Sequence, residues 1–235
     1  MKILIFSLLF SICLATQAKK PDVLLITGGH GYDTLQFFNM FDGFKEISYR
    51  QVQQPEANRL IGTGEAARYD LLVFYDMVQT ISDGEKEGYI ALTKIGKPFL
   101  FLHHSICSYQ NWPEFEKILG GKYVQKGEGI PDDQLSTYRH DVLVDCEVVG
   151  PKHPVTRGFM QFTLTDEVYG NFRVGRLSLP LLKTGHPESS PVIAWENKYN
   201  QSTIVYLQPG HDKKSFENQD YRKLVRQAIM YLIRK

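Results

Sequence analysis

Short, almost continuous apolar runs recur along this chain and limit the folds it can adopt. Residues 22–27, 70–75 and 97–102 carry such runs, and residues 191–195 and 203–207 repeat the pattern near the end. Strands that are buried on both faces have this composition, because helices cover both sides of a parallel sheet. We therefore predict strands at these five positions.

Segments with helical spacing separate the predicted strands. The apolar residues after the first strand are Leu35, Phe37, Phe38 and Phe41. Ser82 and Glu85 form a capping box that opens a second helix, and Trp112–Pro113 begins a third. A closing helix begins near Asn218 and carries one apolar face. The alternation predicts an α/β, doubly wound, mostly parallel sheet with helices on both faces.

The middle of the chain has a different pattern. Residues 122–135 are polar and glycine-rich, whereas residues 141–149 and 162–172 alternate like strands. We predict a small β-rich insertion, or an edge region, within a single domain. Between these two segments, residues 153–158 are expected to form a turn with a structural role.

The first eighteen residues have the features of a secretory signal peptide. A positive start and an apolar run over residues 3–14 precede a small-x-small ending at Ala18. The run is shorter than the roughly 20 residues of a membrane-spanning helix, so we expect no stable membrane insertion. Lipid attachment at Cys13 is the alternative, although the preceding residue is not small. We expect a signal peptide at 1–18, one domain at 19–235, and a periplasmic or extracellular location.

Charge and cysteine content narrow the range of partners. The chain has 27 Lys plus Arg and 26 Asp plus Glu, so it lacks the basic surface expected of a nucleic-acid-binding protein. A small neutral molecule is the expected partner. Cys107 and Cys146 remain after signal cleavage, and they form either one disulfide or two buried free thiols.

Four histidines follow predicted strands, at the positions where an open α/β sheet binds its ligands. His30 follows the first strand, His103 and His104 follow residues 97–102, and His211 follows residues 203–207. Imidazole exchanges protons near neutral pH and is also the commonest metal ligand. The cluster therefore indicates either acid–base chemistry or metal binding.

Two carboxylates could accompany these imidazoles. Glu167 lies in the segment TDEVYG, and Asp212 directly follows His211. Such a carboxylate orients an imidazole, completes a metal site or acts as a base. The chain contains no HExxH or other compact zinc motif, so a divalent metal bound by His30, His103 and His211 stays an alternative to acid–base chemistry.

Two segments resemble the class I glutamine amidotransferases. Residues 97–103 resemble the strand and nucleophile elbow of those enzymes, K-P-x-L-G-I-C, and residues 204–211 resemble the segment with their triad histidine. His103 occupies the nucleophile position, and Cys107 lacks the flanking glycines of an elbow. We therefore expect no glutaminase activity. The glycine turn also lacks GxGxxG spacing, so no nucleotide cofactor is expected.

A wider set of motifs resembles the ThuA-like family, named for trehalose utilisation. The motifs are Gly28–Asp33, Phe101–Ser105, Asn111–Phe115, His153–Gly158, Thr165–Tyr169 and Gly210–Asp212. The resemblance implies a flavodoxin-like fold of the glutamine amidotransferase-like superfamily without its cysteine. It also implies a link to disaccharides that carry a 3-keto group. The pocket it implies consists of His30, His103, His104, Glu167, Tyr169 and His211.

The functional hypothesis is an exported hydrolase, lyase or isomerase that acts on a keto-glycoside or disaccharide. A 3-keto group acidifies the neighbouring C–H bond, so proton abstraction by a histidine or a glutamate would start the reaction. The catalytic candidates are His103, His104, Glu167 and His211, and the substrate-binding candidates are His30, Tyr32, Tyr169 and Asp212. The alternative is a carbohydrate-binding or scaffold protein of the same fold that catalyses nothing.

Overall fold

The computed structural model describes residues 19–127 and 129–235, so the predicted signal peptide lies outside the described residues. The strands are β1 (Asp22–Gly28), β2 (Ser48–Gln53), β3 (Leu71–Asp76), β4 (Phe99–Leu102), β5 (Gly121–Lys122), β6 (Thr137–Val148), β7 (Phe162–Gly170), β8 (Arg173–Val174), β9 (Leu179–Lys183), β10 (Val192–Tyr199) and β11 (Ser202–Leu207). The α-helices are α1 (Thr34–Asp42), α2 (Glu56–Gly62), α3 (Asp83–Lys94), α4 (Pro113–Leu119), α5 (Lys213–Glu217) and α6 (Gln219–Leu232).

Nine strands form one sheet in the order β2-β1-β3-β4-β11-β10-β9-β6-β7. The first five strands in this order are all parallel to one another. The predicted α/β fold with a large, mostly parallel sheet is therefore confirmed. β10 runs antiparallel to β11, because only Asn200 and Gln201 separate the two strands and so short a connection can form only a hairpin.

Helices cover both faces of the sheet, as predicted. Side chains of β1 alternate between two cores, with Leu25 on one face and Leu24 on the other. α1, α5 and α6 pack on the first face, and α2, α3 and α4 pack on the second. This two-sided burial explains why the central strands are apolar at nearly every position.

Local signals mark the helix boundaries. The predicted capping box is present at Ser82, whose side chain accepts a hydrogen bond from the backbone N–H of Glu85 at the start of α3. α4 begins with Pro113 after Trp112, and Asn218 caps α6. One residue differs from the expected helical face: the side chain of Leu35 in α1 is 67% exposed. β2, α2, β9 and α5 have no counterpart among the elements predicted from the sequence.

The β-rich middle of the chain continues the main sheet at its edge. β6 pairs with β9 at only two residues but with β7 along most of its length. A register shift between Arg139 and Val142, with Asp141 at a φ of 58°, interrupts the β6–β7 ladder. Such a bulge bends the strand that carries it. The β6–β7 hairpin thereby reaches the carboxyl edge of the parallel strands.

The two cysteines stay apart, so the disulfide that the sequence left open does not form. Cys107 lies in the core on one face of the sheet, and Cys146 lies in the core on the other. Burial raises the pKa of both thiols well above the usual value. Within the described residues, no helix is long and apolar enough to cross a membrane.

Candidate active site

The predicted histidines converge at the carboxyl edge of the parallel strands. β4 and β11 are neighbours in the sheet, which brings the ring of His103 within 5.1 Å of the ring of His211, between centroids. The ring of His30, which follows β1, lies 4.7 Å from that of His104. The strand-end positions therefore form one cluster, as parallel topology requires.

His103 occupies a sharp turn directly after β4. Its φ is +46°, in the left-handed region, which costs a residue other than glycine about 1–3 kcal/mol. The Oη of Tyr206 donates a hydrogen bond to the carbonyl of His103 at 2.9 Å, and His103 Nδ1 donates to the carbonyl of Gln208 at 2.6 Å. The surrounding structure thus fixes both the strained backbone and the ring.

Three side-chain atoms meet at the centre of the cluster. His103 Nε2 lies 2.9 Å from Glu167 Oε2 and 3.1 Å from His211 Nδ1, and the latter lies 3.2 Å from the same carboxylate oxygen. The hydroxyl of Tyr169 is 2.9 Å from His103 Nε2. Two imidazoles, a carboxylate and a phenol therefore converge on one point of the site.

Buried groups behind the cluster hold it in place. The carboxylate of Asp166 accepts hydrogen bonds from the backbone N–H groups of Gly210 and His211, at 2.7 and 3.0 Å. The side-chain amide of Gln208 donates to the carbonyl of Glu167 at 2.7 Å. These bonds connect β7 to the segment after β11 and so fix the separation of Glu167 and His211.

A cavity of about 280 Å³ opens beside the cluster. Its lining is a mixture of aromatic and polar side chains. The lining residues are His30, Met77, His104, Cys107, Tyr123, Gln125, Tyr138, His140, Glu167 and Tyr169. Its volume is close to the lower end of the range for small-molecule sites, about 300–1,000 Å³.

Burial and neighbouring charges determine the protonation of the site. Burial alone would raise the pKa of Glu167, but hydrogen bonds with His103 and His211 outweigh it and hold the pKa well below the usual value. Burial likewise opposes protonation of His211, yet Glu167 raises the pKa of that imidazole. Burial raises the pKa of Tyr169, which stays a phenol. Glu167 is therefore a carboxylate and a weak base.

His104 differs from the other imidazoles because it lacks hydrogen-bond partners. It is 2% exposed, and its ring lies between His30 and Tyr75, with the centroid of the Tyr75 ring at 4.3 Å. Among the described residues neither ring nitrogen has a hydrogen-bond partner, and an interaction with the Tyr75 backbone falls short of hydrogen-bond geometry. Burial, followed by the neighbouring histidines, holds the pKa of His104 well below its usual value. A neutral imidazole with two free nitrogens therefore lines the cavity.

Comparison with known proteins identifies the family. The family model for ThuA, described as trehalose utilisation, matches residues 23–232. The chain belongs to the ThuA family. No curated protein sequence matches it significantly.

Solved structures agree with this assignment. A ThuA-like protein of Parabacteroides merdae is 16% identical, with a TM-score of 0.76 over 92% of this chain and 90% of that one. A ThuA-like protein of Bacteroides uniformis is 18% identical, with a TM-score of 0.69 over 93% and 94% of the two chains. PurLQS from Thermotoga maritima is 13% identical, with a TM-score of 0.58 over 91% and 99%. At these identities the likeness shows the shared fold alone.

Two of the three residues expected to bind a metal in this ThuA chain, His103 and His211, lie together in the structure. The third atom of the group that could hold an ion belongs to Glu167 and not to His30. His30 is exposed at the cavity, and its Nδ1 lies 2.7 Å from the carbonyl of Gly31. The group of side chains that could hold a metal ion is therefore His103, Glu167 and His211.

Two residues predicted to bind substrate lie away from the cavity lining. The ring of Tyr32 packs against Phe37 and Tyr75, both at 5.1 Å between centroids, because the turn after β1 directs it back to the core. Asp212 caps α5 by accepting a hydrogen bond from the backbone N–H of Lys214 at 2.8 Å. Both side chains thus make contacts within the protein and do not line the cavity.

His153 lies outside the cluster as well. Its Nε2 is 3.1 Å from Glu196 Oε2, and its ring packs against Tyr231. The turn at residues 153–158 therefore has the structural contacts expected of it.

Several residues of the site were not predicted from the sequence. His140 Nδ1 lies 3.3 Å from Glu167 Oε1, and Tyr123 and Tyr138 line the cavity. His140 and Tyr138 belong to β6, so no strand-end rule could find them. Asp166 stands in the TDEVY motif beside Glu167, and this position is the one signal that pointed to it.

Proposed function

We propose that this ThuA-family chain is an exported enzyme that acts on a carbohydrate, namely a keto-glycoside or a disaccharide with a keto group. The observation that carries the proposal is the convergence of His103, Glu167 and His211 beside a cavity. The family description, trehalose utilisation, and the signal-like residues 1–18 are consistent with sugar chemistry outside the cytoplasm.

The cavity suits one sugar ring. Tyr123 and Tyr138 line it with aromatic rings, on which the C–H face of a sugar ring can stack. His104 and His140 offer nitrogen atoms to its hydroxyl groups. The volume of about 280 Å³ favours a single ring over a long oligosaccharide inside the cavity.

The reaction begins with proton transfer from carbon. With the keto oxygen against the central cluster, the C–H bond of the neighbouring carbon is acidified, and an imidazole of the site accepts the proton. The electron pair of that bond forms an enediolate. Expulsion of the glycosidic oxygen, which recovers a proton, then cleaves the glycoside, whereas reprotonation at another carbon isomerises it.

The test is turnover of 3-keto-trehalose and of a 3-keto-glucoside by the purified protein. We expect His103→Ala and Glu167→Gln to reduce turnover by about 100-fold or more. Glu167→Gln keeps the size of the side chain, so it tests the cluster even if His103→Ala fails to fold. His153→Ala removes a histidine that pairs with a glutamate outside the cluster, and it should retain wild-type turnover.

Two results would contradict the proposal. One is undiminished turnover in both cluster variants. The other is calorimetric binding of unmodified glycans without any product from the keto-sugars, which would make the chain a carbohydrate-binding protein.

A further inference from the structure

We infer that His103, Glu167 and His211 bind one divalent transition-metal ion, and that His104 contacts the ligand that completes its coordination. The inference rests on the proposed function only in placing the reactive centre at this cluster. Metal binding itself is measurable without any sugar.

The hydrogen bonds of His103 are compatible with a bound cation. Its Nδ1 faces the carbonyl of Gln208, which can only accept, so Nδ1 carries a proton. Its Nε2 lies 2.9 Å from Glu167 Oε2, which also only accepts, and 2.9 Å from the hydroxyl of Tyr169. Either a proton or a cation between Nε2 and the carboxylate makes this contact favourable, and a divalent ion there would bind His211 Nδ1 as well.

One ion satisfies all three atoms at once. His211 Nδ1 lies at 3.1 and 3.2 Å from the other two atoms, so the three form a nearly equilateral triangle. Tetrahedral ligands at about 2.0–2.2 Å from zinc are about 3.3–3.6 Å apart. A separation of the three side chains by a few tenths of an ångström would therefore admit the ion.

The groups behind the triangle are those that support metal ligands. A metal-bound imidazole usually donates its other N–H to a carbonyl or a carboxylate, as His103 does to Gln208. The amide of Gln208 also holds the backbone of Glu167, and Asp166 holds the backbone of His211. These bonds thus hold the ring of His103 and the backbone of the other two ligands.

A second, independent observation points to a ligand beside the ion. Glu167 and His104 line the same cavity, and both nitrogens of the buried His104 lack hydrogen-bond partners among the described residues. A water molecule or a substrate oxygen at the open coordination position would supply the missing partner. Such an ion would polarise a keto oxygen bound there.

The donor set selects a class of ion. Two imidazole nitrogens and one carboxylate oxygen suit Zn²⁺, Co²⁺, Ni²⁺, Fe²⁺ or Mn²⁺. Mg²⁺ and Ca²⁺ prefer sites made of oxygen atoms alone. We therefore expect the transition ions to bind and Mg²⁺ to compete poorly.

The experiment is titration of chelator-treated protein with Zn²⁺ and with Co²⁺, followed by calorimetry and by visible absorption of Co²⁺. We expect one ion per chain and a cobalt spectrum typical of four or five ligands. Glu167→Gln and His211→Ala should each weaken binding by about 100-fold or more, since each removes one of three ligands. Glu196→Gln is the matched control, because Glu196 pairs with His153 outside the cluster.

Binding of neither ion, or equal affinity in Glu167→Gln and wild type, would overturn the inference. Its failure differs from failure of the proposed function. Metal binding without keto-sugar turnover would contradict only the function, and full turnover in protein shown to be metal-free would contradict only the metal site.

Discussion

At the scale of single residues, the site depends on a conformation that the chain rarely adopts. His103 has a φ of +46° in the turn directly after β4. The Gln208 carbonyl orients the ring toward Glu167 and His211.

A buried carboxyl group outside the cluster makes stability depend on pH. Asp76, at the end of β3, is 2% exposed, and Gln54 Nε2 donates a hydrogen bond to its Oδ2 at 2.7 Å. Burial raises the pKa of Asp76 to about 7. An unfolded carboxyl titrates at about 4, so between about pH 4 and 7 the folded state keeps a proton that the unfolded chain has released. The free energy of unfolding therefore falls as pH rises through this window.

Asp76→Asn should remove this pH dependence. At about 1.4 kcal/mol per pKa unit, the free energy of unfolding of the wild type falls by at most about 4 kcal/mol more than that of the variant between pH 4 and pH 7. Urea denaturation at several pH values measures the difference. Parallel stability curves for the two proteins would show that Asp76 is not the group responsible.

At the scale of secondary structure elements, close helix packing accounts for one glycine of α3. A Cβ atom on Gly88 would lie 2.4 Å from the carbonyl oxygen of Ile61 and 2.9 Å from the Cα of Gly62, at the end of α2. A Cβ on Gly84, in the same helix, would meet no described atom within 4 Å. Alanine substitutions at these two positions therefore distinguish the effect of helix packing from that of helix propensity.

Gly88→Ala should destabilise the protein, because α2 and α3 must move apart. We expect a loss of about 1–3 kcal/mol in the free energy of unfolding. Gly84→Ala should instead stabilise it by up to about 1 kcal/mol, since alanine favours the helix. Urea denaturation of both variants provides the measurement, and a neutral Gly88→Ala would mean that the helices are not in close contact.

At the scale of the whole molecule, topology decides which parts of the site the sequence could predict. The histidines were found because the carboxyl ends of parallel strands share one edge, and each apolar run was visible in the sequence. The resemblance to the ThuA family contributed Tyr169. The capping box of α3 and the proline of α4 were predictable for a similar reason, since short local patterns determine both.

The rest of the site depends on contacts between distant segments. β7 is not a neighbour of β4 or β11 in the sheet, yet the bent β6–β7 hairpin brings Asp166, together with the predicted Glu167, to the cluster. The register shift that bends β6 has no clear sequence signal, so His140 could not be predicted. Tyr32 follows His30 closely in sequence, yet its ring packs against Tyr75 in the core.

We propose that the His103–Glu167–His211 cluster activates the C–H bond beside a keto group. Proton NMR of a 3-keto-glucoside in D₂O measures this activation, because removal of the hydrogen from that carbon precedes both cleavage and isomerisation. We expect the wild type and His153→Ala to exchange this hydrogen far faster than buffer does, and Glu167→Gln to approach the buffer rate. Wild-type exchange at the buffer rate, or equal exchange in Glu167→Gln, would contradict the claim.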